Sequence, residues 1–386
     1  RIAALADQCV KCGLCLPHCP SYRVRGEEGE SPRGRIAYAK ALALGSLGAG
    51  ATMRRHLDDC LACGSCEVVC PSRVQYMELI VGTRARLPHG VAARSLRALA
   101  RRPAAWRALQ HLRFLAALAP LLRAWPRAFA ALEALRGLPT AVPGAARRTA
   151  AVGPSRGRVA LFRGCVARAI DADTHEAAAR VLARLGYDVA APAAAHCCGA
   201  LARHAGATAE ASAQAGAAAR VFAATGCESI VSTASGCAGE VRDAVARAAG
   251  LAADDVLALV AREAERLPAL RTDARRVALM LPCTQRDAGG GAAVAAALAR
   301  IPGLEVLPLP AQPRCCGAAG TYFVEQPGIA RPLRDERLEQ IEALAPDLVL
   351  TTNVGCRIYL QAGLRARGSA LRVVHPITLL AEALPA

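Results

Sequence analysis

The chain has almost no lysine. Lys11 and Lys40 are the only two, so nearly all of its 48 basic side chains are arginines, and against 31 acids they leave a net charge of +17. Such a balance invites nucleic acid or an anionic membrane as partner. Aromatic residues make up only 3 % of the chain, too few to supply base-stacking platforms. The arginine enrichment also travels with abundant Ala, Gly and Pro, which reads as compositional bias, and no nucleic-acid partner is expected. No stretch of eighteen uncharged apolar residues is present, so no transmembrane helix is expected, nor is there the charged-then-apolar start of a secretory signal. Also missing are a G-x-G-x-x-G fingerprint opening a helix, a P-loop and a Ser/His/Asp arrangement. The 386 residues are enough for two or three domains with a sizeable core.

What the chain does have is cysteine, 17 residues in an ordered pattern. Cys9-Val-Lys-Cys12-Gly-Leu-Cys15-Leu-Pro-His-Cys19-Pro20 is followed by Cys60-Leu-Ala-Cys63-Gly-Ser-Cys66-Glu-Val-Val-Cys70-Pro71. Both runs fit C-x2-C-x2-C-x3-C-P, the bacterial ferredoxin spacing for a pair of [4Fe–4S] clusters. Three thiolates two residues apart can hold three corners of one cube. The proline after the fourth turns the chain away and frees that cysteine for the other cluster. The expected sets are Cys9, Cys12, Cys15 with Cys70, and Cys60, Cys63, Cys66 with Cys19. Gly13 and Gly64 let backbone pass close to sulfur. Zinc would gain nothing from a third cysteine in register, and disulfides suit small secreted scaffolds. Thiolate ligands imply a reducing compartment.

Between the runs, Glu30-Ser-Pro-Arg-Gly-Arg-Ile36 leads into an Ala-rich helix near Ile36–Leu44. Ser31 reads as its N-cap with Pro32 in the first turn. Arg33 and Arg35 either sit over the anionic cluster pair or are solvated at a helix start. From Arg84 to Arg148 there are thirteen arginines against one acid, Glu133. Apolar residues recur at helical spacing (Leu96, Leu99, Trp106, Leu109, Leu112, Leu115, Leu118, Leu122), with breaks expected at Pro103, Pro120 and Pro126. Such a stripe either packs on its own domain, the favoured reading, or forms a basic amphipathic surface for a partner subunit or anionic lipid. Leu138–Gly157 reads as a linker.

A large internal repeat follows. Arg158-Val-Ala-Leu-Phe-Arg-Gly-Cys165, Cys197-Cys198-Gly199 and Ser235-Gly-Cys237 are matched by Arg276-Val-Ala-Leu-Met-Leu-Pro-Cys283, Cys315-Cys316-Gly317 and Val354-Gly-Cys356, 118 to 119 residues later. Strands are expected at Val159–Phe162, Tyr187–Ala190, Ser229–Ser232, Val277–Leu281, Leu304–Leu307 and Leu348–Leu350. Helices are expected at Thr174–Leu185, Ala205–Ala224, Ala292–Ile301 and Ile329–Leu344. That is an α/β pattern with a mostly parallel sheet. Its cysteines fall beyond the carboxyl ends of strands, where such sheets bind ligands. Each half thus gathers four thiols, Cys165, Cys197, Cys198, Cys237 and Cys283, Cys315, Cys316, Cys356. Either a multi-iron cluster or a redox-active thiol pair could use them. Packing alone explains them poorly, since the same four recur at the same spacing. Cys227 has no counterpart and reads as a buried free thiol. His196 and Arg314 precede the two pairs without matching, so His196 is taken as structural or as a hydrogen-bond donor to sulfur.

With these motifs the chain resembles the iron–sulfur subunits of bacterial glycolate oxidase (glycolate dehydrogenase). The resemblance runs through Cys9–Arg23, Glu30–Ile36, Leu57–Val74, Gly164–Val166, His196–Gly199, Thr233–Cys237, Pro282–Thr284, Cys315–Tyr322 and Thr351–Cys356. It implies a multidomain α/β and α+β chain: a helical two-cluster ferredoxin domain (1–83), a basic helical connector (84–155) and two cysteine-rich "CCG" repeats (156–270 and 271–386). It implies two [4Fe–4S] clusters, and leaves open one further cluster in each repeat. It implies an electron-transfer subunit, not catalytic alone, with flavin-containing partner subunits that oxidise glycolate to glyoxylate. The acceptor would be a quinone or another acceptor, and the location cytoplasmic, with peripheral membrane association open. The alternative is the iron–sulfur subunit of a related complex that shares the CCG domain, acting on D-lactate or glycerol 3-phosphate or resembling a heterodisulfide reductase. Where the heterodisulfide reductases carry a C-x2-C pair, this chain has Ala234 and Asn353 in the first position, which leaves four ligands per half.

Overall fold

The computed structural model describes residues 1–88, 90–139, 148–194, 196–310 and 315–385. Arg314 lies outside them. The N-terminal part is helical: Ile2–Asp7, Pro20–Arg25, Pro32–Ala43, Ala51–Asp58, Ser65–Val68 and Tyr76–Arg84. Pro20 and Pro32 occupy first helical turns, where a missing N–H costs nothing. Ser31 caps the second of these helices, its Oγ accepting from the Gly34 N–H at 2.9 Å. Leu5, Ile36, Ala39, Leu57, Leu79 and Ile80 form a small core with the cysteines of both runs at its edge.

The connector folds as helices Val91–Ala100 and Pro103–His111, a 3-10 segment Leu112–Leu122, and helix Pro126–Ala134. Pro103 and Pro126 begin helices as expected, whereas Pro120 sits inside the 3-10 segment without ending it. The apolar stripe divides. Trp106, Leu109 and Leu115 pack against Leu135, Leu138 and Ile358, while Leu99, Leu112 and Leu118 are exposed. Packing on the connector's own domain therefore accounts for only part of the stripe.

Each repeat is a parallel sheet flanked by helices. In the first, β1 is Arg148–Thr149, β2 Arg158–Phe162, β3 Asp188–Ala190, β4 Ser229–Ser232 and β5 Ala252–Asp255, in the order β1-β3-β2-β4-β5. In the second, β6 is Arg276–Leu279, β7 Glu305–Pro308, β8 Leu348–Leu350 and β9 Val373–Val374, in the order β7-β6-β8-β9. Without β1 the two orders are the same, so the sequence repeat is also a repeat of topology. Only β1 runs antiparallel among these pairs; it lies in the stretch read as linker. The expected strands and helices are present to within a few residues. The C-terminal helix Pro376–Ala383 packs against Ala172–Arg184, where Arg180 donates to the Ala381 carbonyl at 3.1 Å. Leu161, Val181, Leu182, Val231, Leu279, Leu350, Val374 and Leu380 belong to one apolar core that spans both repeats.

Candidate metal centres

The two ferredoxin-type loops share an unusual backbone. Gly13 and Gly64 have φ of +86° and +68°, and Lys11 and Ala62, two residues before each glycine, also lie at +59° and +50°. A non-glycine residue at positive φ costs about 1–3 kcal/mol and persists only when its surroundings demand it. The same strain at the same place in both runs marks one loop conformation used twice. Cys9, Cys12 and Cys15 line one pocket with Cys70, Cys66 and Arg33. Burial pushes the Cys66 thiol well up, and the charges of Cys63, Cys60, Cys19 and Cys15 add to this. Each fourth cysteine thus lies near the other run, Cys70 in the pocket of Cys9, Cys12 and Cys15, and Cys19 within electrostatic reach of Cys66.

Cations stand over both sets. Arg33 donates to the Lys11 carbonyl at 3.3 Å and pairs with Glu28 at 2.7 Å. Arg35 is not solvated: it is fully buried. Its Nη2 pairs with Glu30 Oε2 at 2.5 Å, its Nε donates to the His56 carbonyl at 2.6 Å, and its Nη1 lies 3.8 Å from Cys19 Sγ. Arg84 donates to the carbonyls of Leu57 and Cys60, each at 2.6 Å. Burial alone would raise the Cys60 thiol, but Arg35, Arg84, the Ala62 N–H and the Tyr76 hydroxyl together hold it below its ordinary value. Thiolate is the ligand form, so this environment suits a metal.

The cysteines of the repeats sit where the topology predicts, after β2, β3 and β4 in one half and after β6, β7 and β8 in the other. All eight line a single cavity of about 330 Å³. Cys165 and Cys197 have Sγ atoms 3.6 Å apart, and Cys316 and Cys356 only 2.7 Å. Cys197 is held far down by hydrogen bonds from Cys165 and Cys198, while those two are pushed well up. Cys283 is lowered by its contact with Cys315, and Cys315 is raised in turn. Four crowded thiols cannot all ionise without a cation among them, and soft thiolate donors select iron–sulfur clusters or other soft metals. The residues present therefore fit cluster ligation in both regions.

Gly199 and Gly317 close each pair on the helix behind it. Both have left-handed φ, +89° and +82°. A Cβ would meet the Ala211 carbonyl oxygen at 2.6 Å in one and that of Ala330 at 2.4 Å in the other. His196 is structural. Its Nε2 accepts from the N–H groups of Arg163 and Gly164 at 3.2 and 3.3 Å, fixing the loop that carries Cys165. Its bonds go to backbone rather than sulfur. Cys227 does not line that cavity and is buried in a core with Phe222 and Ile230, to which Cys198 also belongs.

Sequence reading missed the seam between the two sets. Ser235 and Thr284 hydroxyls are 2.9 Å apart, Thr352 donates to Ser235 at 3.2 Å, and Asn353 Nδ2 donates to Thr284 at 3.2 Å. Asn353 also caps its helix through the Gly355 N–H at 2.8 Å. The residue standing in place of a fifth cysteine is thus a helix cap in the seam. Sequence reading also missed how the ferredoxin part docks. Leu61 packs in one core with Cys315, Cys316 and Cys356. Arg286 donates to the Gly64 carbonyl at 3.2 Å, and Tyr322 to the Asp59 carbonyl at 2.7 Å. Burial pushes the Cys63 thiol up to about 12, and Cys283 of the second repeat is the next cause.

The comparisons agree with this arrangement. A family described as a 4Fe-4S dicluster domain matches residues 5–74, and one described as a cysteine-rich domain matches 159–242 and 277–361. The glycolate oxidase iron-sulfur subunit of Escherichia coli is 33% identical over 97% of this chain and 93% of its own length. The probable glycolate oxidase iron-sulfur subunit of Bacillus subtilis is 28% identical over the same shares. Lactate utilization protein A of a Geobacillus species is 33% identical over 20% of this chain and 33% of its own length. With both cysteine-rich regions matched and nearly the whole length aligned, the chain belongs to the family of glycolate oxidase iron–sulfur subunits.

Proposed function

We propose that this chain is the electron-transfer subunit of a glycolate dehydrogenase. It takes electrons singly from a flavin-bearing partner that oxidises glycolate to glyoxylate and delivers them to a quinone. The observation that carries this reading is the unbroken order of its thiol sets. Cys9, Cys12, Cys15 and Cys70 adjoin Cys60, Cys63, Cys66 and Cys19. The latter abut Cys283, Cys315, Cys316 and Cys356 through Leu61 and Cys63. These face Cys165, Cys197, Cys198 and Cys237 across one cavity. A bound iron–sulfur cluster supplies one-electron storage at a potential set by its charge, its hydrogen bonds and its exposure. The protein's part is to hold the thiolates, to place Arg33, Arg35 and Arg84 near them, and to keep water out with Leu61, Phe162, Phe323 and their neighbours.

The ligands assigned are the two crossed ferredoxin-type sets for [4Fe–4S] clusters, and the four cysteines of each repeat for one further cluster apiece. The test is anaerobic co-purification. The chain should carry a flavoprotein partner with it, and the pair should reduce an artificial dye with glycolate. The isolated chain should not. Turnover of glycolate by this chain alone would overturn the division of labour.

A further inference from the structure

The 3-10 segment Leu112–Leu122 reads LRFLAALAPLL, with Arg113 its only charged residue. An ordinary packed segment turns its large apolar side chains inward. This one turns Leu115 inward but leaves most of its other large side chains out. It buries Ala116 and Ala119, at 3% and 1% exposure, and turns outward Leu112, Phe114, Leu118 and Leu121, at 41%, 68%, 48% and 73%. A 3-10 helix repeats every three residues, so beyond Leu115, which packs inward, Leu118 and Leu121 stand in one outward row and Ala116 and Ala119 in an inward one. Trp125 follows, 63% exposed. The small inward row is anchored, with Arg136 donating to the Ala116 carbonyl at 3.0 Å. The arrangement is therefore held by the fold, and an exposed apolar patch of this kind marks an interaction surface.

Charge identifies the occupant. Arg107, Arg113, Arg123 and Arg127 are exposed around the row, and no acidic residue occurs between positions 84 and 132. Apolar side chains bordered by arginines, with an amphipathic Trp among them, match the boundary between headgroups and acyl chains. We propose that this face of the connector seats the protein on an anionic lipid surface. Phe114, Leu118, Leu121 and Trp125 enter the acyl boundary and the arginines lie on headgroup phosphates. The inference deepens the quinone part of the function proposed above and takes its purpose from it. Leu99, on the same connector, is 47% exposed and also lines the cavity that holds the eight repeat cysteines. The cavity therefore reaches the connector, where a lipid-dissolved acceptor would arrive.

The test uses the full chain, purified anaerobically with its clusters. It is sedimented with vesicles of phosphatidylcholine alone and of phosphatidylcholine with about one-third phosphatidylglycerol. The parent should bind the anionic vesicles, with Trp125 emission shifting to the blue, and should release as salt is raised. Phe114→Gln/Leu118→Gln/Leu121→Gln/Trp125→Gln should weaken binding by at least about tenfold, and Arg113→Gln/Arg123→Gln by about tenfold as well. Unchanged iron content and circular dichroism would show that the variants fold. Absence of parent binding, equal binding to neutral vesicles, or variants that bind like the parent would each overturn the proposal. So would a quadruple variant that keeps its vesicle binding but no longer co-purifies with the flavoprotein, since the row would then be a protein interface. Dye-linked glycolate oxidation by the complex reads the proposed function separately and should be unaffected by all these substitutions.

Discussion

Arg35 Nη1 lies 3.8 Å from the Sγ of Cys19, inside a part of the protein that water does not reach. The guanidinium is held there by Glu30, itself 1% exposed and bonded to His56 Nδ1 at 2.6 Å. A buried positive charge beside a thiolate favours the more negative, reduced state of whatever that thiolate binds. Arg35→Gln should therefore lower the reduction potential of the cluster that Cys19 serves. It would also leave Glu30 without its cation, at a cost of about 3–5 kcal/mol. Arg35→Lys keeps the charge and separates the two effects. A redox titration followed by electron paramagnetic resonance checks the direction, and a potential unchanged in Arg35→Gln would contradict it.

Crossed ligation makes a second expectation. Cys19→Ser should damage the cluster held mainly by Cys60, Cys63 and Cys66, and Cys70→Ser the one held by Cys9, Cys12 and Cys15. The spectra of the two variants should be complementary. Loss in each case of the cluster belonging to the mutated run would remove the crossed assignment.

Iron per chain reports on the repeats. Two cubanes give about eight irons, and each occupied repeat adds up to about four. Anaerobically purified protein should exceed eight, and Cys198→Ser/Cys316→Ser should return it toward that value. A steady content near eight in both proteins would leave only the ferredoxin-type sites occupied.

Gly317→Ala should cost more than its backbone conformation explains. Gly368 has a similar φ, +77°, but open space where a Cβ would go. Gly368→Ala therefore measures the left-handed penalty alone, about 1 kcal/mol. Gly317→Ala adds the clash with the Ala330 carbonyl and should destabilise by a further 1–3 kcal/mol or so, with loss of iron from the second repeat. Equal urea midpoints for the two variants would show that the close approach is unimportant.

Stability should fall as pH drops below neutral, in part through His375. Burial pushes its imidazole down to about 4, and its Nδ1 accepts the Ile377 N–H at 3.1 Å as a helix cap. An unfolded histidine titrates near 6.5. Between about pH 6.5 and 4 the unfolded chain therefore binds the extra proton. The stability that neutral His375 contributes is complete above pH 6.5 and lost on acidification. Urea unfolding at pH 7 and 5.5 should show this slope, and His375→Asn, which can still cap, should reduce it. The same slope in both proteins would count against the assignment.

The residues themselves determined a good deal. Cysteine spacing carried the ferredoxin-type loops because ligand geometry is local, set by two- and three-residue intervals that no distant packing can alter. The two repeats were legible because every strand and cysteine recurs at a fixed offset, and Ser31-Pro32 announced its helix because a cap acts on the next three residues. Other features were decided only by tertiary structure. Whether Arg35 is solvated or buried depends on Glu30 and His56 closing around it, and nothing in its own neighbourhood of sequence distinguishes it from Arg33. That all eight repeat cysteines share one cavity follows from the two sheets facing each other across the Ser235–Thr284 seam. The connector divides its apolar residues for the same reason. Helical spacing marks which residues share a face, but the surfaces already covered by Ile358, Leu135 and Leu138 decide which face turns inward, and so leave Leu118, Leu121 and Trp125 outside.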